Sequence, residues 1–442
     1  MRPVLPTILC CGLVTAFFMF DRETETDGSF PVWVSTIWFM IISSRMVSLW
    51  FGAGGARSVD VYLEGNPVDR NIFLVLIVLS GYMLLKRGYS FSEFYANNKV
   101  LTILLIYSLI SIAWSDFPFV SFKRWIKSLG NILTILLLLT SQDPTRSVVT
   151  VLRRASFVLI PFSIVLIKYY PKLGRVYHRY SGELTITGVA MGKNALGVMC
   201  MVLGLFLLWM LRGKLKTRNI MSLGVITTVF LMDIYLLFTA DSATAIVCFF
   251  LGMLFLPLSW SGYRRYLGTV NRWAAITLVA VIVILNKFFN FSTTIIESLG
   301  RDPTLTGRVV LWDELLGYKK NIILGYGYDS FWLGDRIAAL WDKYWWMPTE
   351  AHNGFLETYL ELGLIGLFLL GLLIFSVYPR VFSAISARDG MKSLFLTFFL
   401  ISIVYNIAES AFKGVHIVWY IFLLSIISVS IMVEAESPLE AS

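Results

Sequence analysis

The chain has 442 residues, of which 57% are hydrophobic and only 15% are charged. Soluble globular domains carry about 25% charged residues, so this composition excludes an ordinary soluble domain and indicates a membrane protein. The formal net charge is +9, and its placement along the chain is more informative than its size. The four cysteines all lie in apolar segments, which predicts buried thiols and neither a disulfide nor a metal site.

Thirteen apolar segments follow one another along the chain, and many are long enough to cross the hydrocarbon core of a bilayer. They predict an all-α fold, a polytopic transmembrane helical bundle of 12–13 spans with a long outward-facing helical loop. The lower number applies if one early segment is re-entrant or interfacial. The segments lie near residues 4–20, 30–50, 71–86, 100–114, 126–141, 150–168, 189–211, 219–240, 242–260, 273–290, 355–378, 393–408 and 415–433.

Two polar segments interrupt the bundle and suggest three regions. Residues 1–290 form the first part of the bundle and include a short basic loop near 169–188. Residues 291–354 form a long loop that is the predicted catalytic segment, and residues 355–442 add the C-terminal helices and a short cytoplasmic tail. Lysine and arginine concentrate in other short loops, which places those loops in the cytoplasm. Both polar segments are therefore expected on the opposite face.

The loop near 169–188 is basic although it is expected outside, where the charge rule disfavours cations. It carries Arg175, and Lys193 and Asn194 follow at the start of the next helix. Two interpretations remain open: an ordinary solvated loop, or a segment that binds an anion. Under the second interpretation, Arg175 and Lys193 are candidate anion ligands.

The long loop begins near Arg301, and a helix is expected to start close to Arg308. The first turn of a helix is an unfavourable place for a cation, because the helix dipole is positive there. Arg308 makes sense at this position if it and the helix N–H groups bind one anion, of which phosphate is the usual example. The alternative is a surface arginine paired with Asp302 or Asp313.

Further along the loop, Gly325 and Gly327 predict a tight turn with close backbone approach. An aromatic-rich amphipathic stretch then runs from Trp332 to Trp346. The preferred interpretation is a segment lying along the membrane interface. The alternative is a surface that stacks on the faces of sugars.

His352 stands where the long loop ends and the next apolar helix begins. Imidazole ordinarily has a pKa near neutrality, so a histidine can take a proton from a hydroxyl and release it again. Asn353 follows directly, and Glu357 and Glu361 share one face of the helix. A carboxylate in an apolar span suggests a partner or a function, and one role would be to orient His352 or a cationic loop residue. The alternative is an interfacial histidine without chemistry.

Several short motifs carry a family resemblance. They are His352-Asn353 with Gly363 and Gly366, Thr306-Gly307-Arg308 with Trp312, Gly325 and Gly327 with Phe331, Trp114-Ser115-Asp116-Phe117-Pro118, Gly192-Lys193-Asn194, and Asn406 with Glu409-Ser410. By their order along the chain and their spacing, they resemble the O-antigen ligase and O-antigen polymerase (Wzy-type) superfamily, and most closely its ExoQ-like exopolysaccharide polymerases.

The resemblance implies a metal-independent, inverting glycosyl transfer at the outer face of the inner membrane. The donor would be a glycan on undecaprenyl pyrophosphate, and the acceptor would be a hydroxyl of a second glycan. His352 would be the base that activates this hydroxyl. Arg308, with Arg175, Lys193 and Arg301, would bind the pyrophosphate leaving group. No cofactor is expected, and no metal either, because no cluster of histidine and carboxylate ligands is visible in the sequence.

The preferred hypothesis is therefore a polymerase of lipid-linked repeat units. A ligase that moves a glycan to lipid A core is the alternative within the same class. A transporter or flippase of lipid-linked sugars is the alternative from another class, and it should place charge on several helices around a passage. The expected partners are the lipid-linked donor, the acceptor glycan and membrane lipid, with a chain-length regulator and a flippase protein as further candidates and no nucleic acid. The expected location is the inner membrane, multi-pass, with the catalytic loop periplasmic.

Overall fold

A computed structural model describes residues 4–20, 29–52, 65–177, 184–217, 219–256, 308–318, 321–383 and 391–436, together with Leu63 and Gly182. Almost all the secondary structure in this part of the chain is helical. The strands that it contains are β1 (Arg175–Tyr177) and β2 (Leu184–Ile186), an antiparallel pair in the basic loop. The predicted all-α, polytopic membrane fold is confirmed.

Twelve of the thirteen predicted apolar segments coincide with helices. The remaining segment, near 273–290, lies outside the described residues, as does Arg301. The helices are α1 (Val4–Phe20), α2 (Phe30–Ser43), α3 (Val47–Trp50), α4 (Pro67–Lys86), α5 (Phe91–Asn97), α6 (Lys99–Ile110), α7 (Pro118–Leu139), α8 (Pro144–Tyr169), α9 (Pro171–Gly174), α10 (Lys193–Thr217), α11 (Ile220–Thr239), α12 (Ala243–Phe255), α13 (Arg308–Gly317), α14 (Gly334–Lys343), α15 (Gly354–Ser383), α16 (Met391–Ala408) and α17 (Ile417–Glu436).

Length and composition show which helices could cross a membrane. Six are long and apolar enough to cross a membrane, namely α4, α8, α10, α11, α15 and α16. The pair α5 and α6 forms a seventh such element, bent by 109° between its two helices. Shorter apolar helices occupy further predicted segments, namely α1, α2, α12 and α17. Within the described ranges these criteria thus support six or seven spans, and the predicted number of 12–13 stays a prediction.

The core lies among the central helices, where α10 packs against α11 and α12, and α16 packs against α12 and α17. One buried arginine fixes the basic loop to this bundle. Arg45, between α2 and α3, donates to the carbonyl oxygens of Leu173 at 2.8 Å, Gly188 at 2.6 Å and Val189 at 3.1 Å. Burial of this cation is tolerable because its N–H groups form hydrogen bonds with these carbonyl oxygens. The contacts also set the position from which α10 begins.

Helix α15 is broken at Gly363, whose φ of +65° and ψ of −163° are not helical. A break inside an apolar helix leaves backbone groups without partners, which is costly away from water. Here the long loop supplies them: Tyr326 N and Gly327 N donate to Leu360 O and Glu361 O, at 3.0 and 2.8 Å. In return, the N–H groups of residues 364 and 365 donate to the carbonyls of residues 322 and 323.

The part of the long loop that makes these bonds, residues 322–327, is called the strap. It contains the two glycines that are predicted to form a tight turn. Gly325 and Gly327 have φ values of +71° and +94°. A Cβ on Gly325 would stand 2.5 Å from Glu361 O, and one on Gly327 would stand 2.9 Å from Ser111 O. Only glycine permits both the backbone conformation and the close approach, so the turn and its close contact are as the sequence predicts.

The aromatic stretch differs from the preferred prediction of a segment that lies along the membrane interface. The apolar face of α14, with Ile337 and Leu340, is buried, and so are Phe331 and Trp332 just before it. These side chains pack with Leu311 of α13 into a small second core. An amphipathic pattern shows that a helix has one apolar face, and it does not distinguish a lipid surface from a protein core. Here most of the face is covered by protein.

We predict that Gly363→Ala lowers the melting temperature of the purified protein in detergent by several degrees. The new Cβ would lie 2.2 Å from Ile323 O, and non-glycine residues in such strained backbone conformations cost about 1–3 kcal/mol even without a clash. Gly371→Ala is the matched control, because it lies in the same helix with open space around its Cβ position. Equal melting temperatures for the two variants would contradict the account of the break.

Candidate functional site

Four separate parts of the chain meet at the carboxylate of Glu409, directly after α16. Its Oε2 lies 3.0 Å from Nδ1 of His352, and its Oε1 accepts a bond from Nη2 of Arg308 at 3.0 Å. Nδ2 of Asn194, in the first turn of α10, donates to the same Oε1 at 3.2 Å. Glu409 is only 4% exposed. The fold therefore brings His352, Arg308 and Asn194, three residues singled out in the sequence, to one buried acid.

Arg308 begins α13 and reaches the end of α16. Its Nη1 donates to the carbonyl oxygen of Ala408 at 2.7 Å, next to its bond with Glu409. A cation at the C-terminal end of a helix is favourable, because the helix dipole is negative there. The contacts place the Arg308 guanidinium, with 17% of the side chain exposed, in the same cluster as His352.

The backbone of His352 has a φ of +51°, in the left-handed region that non-glycine residues enter at a cost. The neighbouring peptides hold it there. Ala351 O accepts from Nε1 of Trp312 at 2.6 Å, and Ala351 N donates to Glu357 at 2.7 Å. Asn353 N donates to the hydroxyl of Ser410 at 3.0 Å. A strained residue that its surroundings fix so fully is typical of a functional site.

Glu357 links the residues next to His352 with those next to Glu409. Its Oε2 accepts hydrogen bonds from Ala351 N and from the hydroxyl of Ser410, the latter at 3.2 Å. Its Oε1 accepts one from the indole N–H of Trp332 at 2.5 Å. Glu357 therefore reaches the histidine through the peptide before it.

Asn353 and Glu361 complete the support. Oδ1 of Asn353 accepts from the N–H groups of residues 355 and 356, both at 3.0 Å, and so caps the start of α15. Glu361 is buried and bonds to the backbone of Asp329. Its carbonyl oxygen accepts a hydrogen bond from Gly327 N, so Glu361 supports the glycine turn.

A second acid lies beside the histidine. Oε1 of Glu350 is 3.5 Å from Nδ1 of His352, and Glu350 forms an ion pair with Lys413. Burial alone would raise the pKa of Glu350, but the nearby Lys413 and His352 outweigh it and lower this pKa to about 2. Glu350 therefore stays ionised at ordinary pH. The cluster contains two acids and the two cations that pair with them, Arg308 and Lys413.

A second histidine, His416, stands close to this cluster but has a different environment. Burial, and then the charge of Lys413, lower the pKa of His416 to about 3, so its imidazole stays neutral. Its Nδ1 accepts from Val418 N at 3.2 Å, at the start of α17. The third histidine, His178, lies outside the described residues. Of the two described histidines, His352 is the one whose Nδ1 faces two carboxylates, those of Glu350 and Glu409.

No cluster of histidine and carboxylate ligands was expected from the sequence, and this expectation was wrong. One possible ligand atom from each of Glu350, His352 and Glu409 lies within 4.8 Å of the others, a spacing that could hold a metal ion. The cluster nevertheless fits a hydrogen-bonded relay better, because each acid already faces a cation, Lys413 or Arg308. The metal-independent mechanism stays a prediction.

The remaining predicted anion ligands make other contacts. Nε of Arg175 donates to the carbonyl oxygen of Ile167 at 2.8 Å, and Nζ of Lys193 lies 3.9 Å from Asp241. Lys193 nevertheless directly precedes Asn194, which bonds Glu409. A single anion site shared by Arg175, Lys193 and Arg308 stays a prediction, and Arg301 lies outside the described residues.

The sequence indicated no role for Glu350 or Lys413, and Glu409 and Ser410 entered only as part of a motif. A signal did exist for Glu409, because an acid at the end of an otherwise apolar helix is expensive without a partner. The partners themselves are distant in sequence, and only the folded chain identifies them.

Comparisons with known proteins found a matching family model and a similar sequence. A family model described as O-Antigen ligase matches residues 228–371, which include Arg308 and His352. The exopolysaccharide production protein ExoQ of Rhizobium meliloti (strain 1021) is 26% identical over 297 residues. Both matches support a relationship to the O-antigen ligase/ExoQ-like family. The alignment covers 64% of this chain and 65% of ExoQ, so the chain matches just under two thirds of that relative's length.

We predict that the triad of Glu350, His352 and Glu409 does not hold a divalent cation in the purified protein. Lys413 and Arg308 occupy the carboxylates and repel a metal ion. The test is a titration with Mn²⁺ followed by electron paramagnetic resonance, with His352→Ala as the matched control. We expect identical titrations, and one equivalent of bound Mn²⁺ that is lost in the control would contradict the prediction.

Proposed function

We propose that the chain is a membrane glycosyltransferase that polymerises oligosaccharide repeat units carried on undecaprenyl pyrophosphate. The observation that carries the proposal is the carboxylate of Glu409, which joins His352 to Arg308. A side chain that can accept a proton and a side chain that can bind phosphate thus contact the same carboxylate. A transfer that activates a hydroxyl and expels a pyrophosphate needs both groups close together.

His352 acts as the base in this proposal. Its Nδ1 faces Oε2 of Glu409 at 3.0 Å, and this contact assigns the ring proton to Nδ1. Nε2 then presents its lone pair to the acceptor hydroxyl and takes the proton as the hydroxyl oxygen attacks the anomeric carbon of the donor sugar. Glu409 stabilises the imidazolium that forms.

Arg308 acts on the leaving group. The new bond joins the acceptor oxygen to the anomeric carbon, and the bond from that carbon to the pyrophosphate oxygen breaks, so negative charge develops on the leaving pyrophosphate. A guanidinium stabilises this charge with two N–H donors aimed at phosphate oxygens, and no acid is required. Arg175, Lys193 and Arg301 are further candidates for binding the pyrophosphate.

Two observations support a polymerase over the alternatives. The similarity to an exopolysaccharide production protein favours exopolysaccharide polymerisation over a ligase that acts on lipid A core, which remains the second candidate. The charged cluster gathers where loops and helix ends meet, at Glu409 after α16 and His352 before α15. This position favours chemistry at one face over a flippase.

The proposal includes a location and partners. The chain would lie in the inner membrane with its catalytic loop in the periplasm, where a flippase delivers the lipid-linked donor. A chain-length regulator is a further proposed partner. Asn194, which follows the basic loop, and His352, which ends the long loop, meet at Glu409, and this supports placing both loops at one end of the bundle.

We predict that His352→Ala lowers the rate of glycan transfer by roughly 10²–10⁴-fold, the usual loss for a general base.

Glu409→Gln should lower kcat by about 10²-fold or more, because an amide does not stabilise an imidazolium. The measurement is polymer formation in proteoliposomes supplied with lipid-linked glycan extracted from cells that carry His352→Ala. Glu93→Gln is the matched control, since Glu93 is exposed on α5. Activity of His352→Ala within a few-fold of wild type would remove the base from the mechanism.

We predict that Arg308→Lys is severely impaired in the same assay, with a loss of at least about 10²-fold. An ammonium is a point charge and does not span two phosphate oxygens. Arg70→Lys is the matched control, because Arg70 is exposed in the first turns of α4. Near-normal transfer by Arg308→Lys would show that Arg308 has only a structural role.

A further inference from the structure

An aromatic turn stands directly beside His352. It spans residues 344–347 and is closed by a hydrogen bond of 2.9 Å from Met347 N to Tyr344 O. The ring of Trp346, within this turn, lies 6.0 Å from the ring of His352 and 5.8 Å from that of Tyr344, measured between centroids. Any molecule that rests on Trp346 is therefore within reach of the histidine.

The protein holds this turn firmly. The Tyr344 hydroxyl donates to Glu314 at 2.6 Å, and Nζ of Lys343 lies 2.7 Å from the same carboxylate. Burial and the contact with Glu314 raise the pKa of Tyr344 to about 12, so its hydroxyl stays a donor. Nε1 of Trp341 donates to Pro348 O at 2.9 Å. A platform fixed by several bonds is preorganised for a ligand.

The indole N–H groups of the long loop distinguish Trp346 from its neighbours. Those of Trp312, Trp332 and Trp341 each donate to an acceptor within the loop and the start of α15, namely Ala351 O, Glu357 and Pro348 O. The structure shows no acceptor for the Trp346 N–H among the described residues. Trp346 is half-buried, and the indole N–H of tryptophan is a donor that usually bonds a partner, so this N–H is available to a ligand.

We propose that Trp346 is the binding platform for the terminal sugar of the acceptor glycan, an inference that rests on the proposed function. The apolar C–H face of a sugar ring packs on the indole, and its hydroxyls bond to the Trp346 N–H and to the partly exposed Glu350 and Lys413. The hydroxyl that reacts then lies at His352. The contacts run from Arg308 through Glu409 and His352 to Trp346, with the donor phosphate at the first residue and the acceptor sugar at the last.

A membrane-interface role suits Trp345 better than Trp346. The side chain of Trp345 is 58% exposed, whereas Trp346 packs between Tyr344 and His352. Ionised Glu350 lies next to the same histidine, and a carboxylate placed among acyl chains is costly. Hydroxyl groups, in contrast, are good donors to it.

The test compares Trp346→Leu, Trp346→Phe and the adjacent control Trp345→Leu in proteoliposomes. The acceptor is the oligosaccharide that mild acid releases from the extracted lipid-linked glycan. We expect Trp346→Leu to raise the KM for this acceptor roughly tenfold, since an aromatic contact in a binding site is lost. The donor KM and kcat should stay within about threefold, because uniform binding affects KM alone. Trp346→Phe should restore most of the affinity.

Trp345→Leu should leave the acceptor KM within about twofold of wild type. An unchanged acceptor KM in Trp346→Leu would overturn the proposal. Quenching of Trp346 fluorescence by brominated lipids would then indicate that it contacts the membrane. A fall in kcat with an unchanged KM would instead make Trp346 a residue that positions His352, and it too would overturn the proposal.

A second measurement needs no turnover. Protein labelled with 5-fluorotryptophan is titrated with the released oligosaccharide, and the fluorine signal of Trp346 is assigned by its loss in Trp346→Phe. A saturable shift of this signal is expected. If wild type transfers no glycan but the signal shifts, the proposed function fails and the sugar site stands. If wild type transfers glycan and the signal does not move, the sugar site fails alone.

Discussion

The carboxylate of Glu409 is the constraint on which the rest of the site depends. It is almost wholly buried at the end of an apolar helix, where an acid without partners would be strongly unfavourable. Arg308, Asn194 and His352 satisfy it, and each comes from a different part of the chain. The hydrogen bonds to this carboxylate therefore bring together the long loop, the start of α10 and the residues just before α15.

The break in α15 makes that convergence rigid. Residues on both sides of Gly363 exchange backbone hydrogen bonds with the strap that carries Gly325 and Gly327. The long loop is thereby joined to a membrane helix through main-chain bonds, which do not depend on side-chain rotamers. Glu357 adds side-chain bonds between the His352 and Glu409 loops. Sites built on elements fixed in this way hold their geometry closely enough for proton transfer.

The sequence predicted the all-α membrane fold because bilayer-length apolar runs leave few other structures. It also made His352 and Arg308 candidates, because an imidazole at the start of an apolar helix and a cation in a first helical turn are both unusual. The glycine turn was predictable because its conformation is local. The count of spans is harder to predict from sequence, because several apolar helices are short.

Tertiary partners were beyond the same reasoning. Glu409 is 57 residues from His352 and 101 from Arg308, and no local pattern links them. The burial of Trp332 was missed because an apolar helix face looks the same whether lipid or protein covers it. The break at Gly363 depends on a strap that approaches from the long loop, so a glycine read alone does not reveal it.

The charge balance of the cluster suggests how the two halves of the proposed reaction are coupled. Arg308 divides its hydrogen bonds between Glu409 and Ala408 O. A pyrophosphate at Arg308 would compete with Glu409 for the guanidinium, and a less neutralised Glu409 would attract the proton on His352 more strongly. Donor binding would thus make the imidazole a better base at the moment when an acceptor hydroxyl must be deprotonated. Because one carboxylate contacts both groups, this coupling is direct.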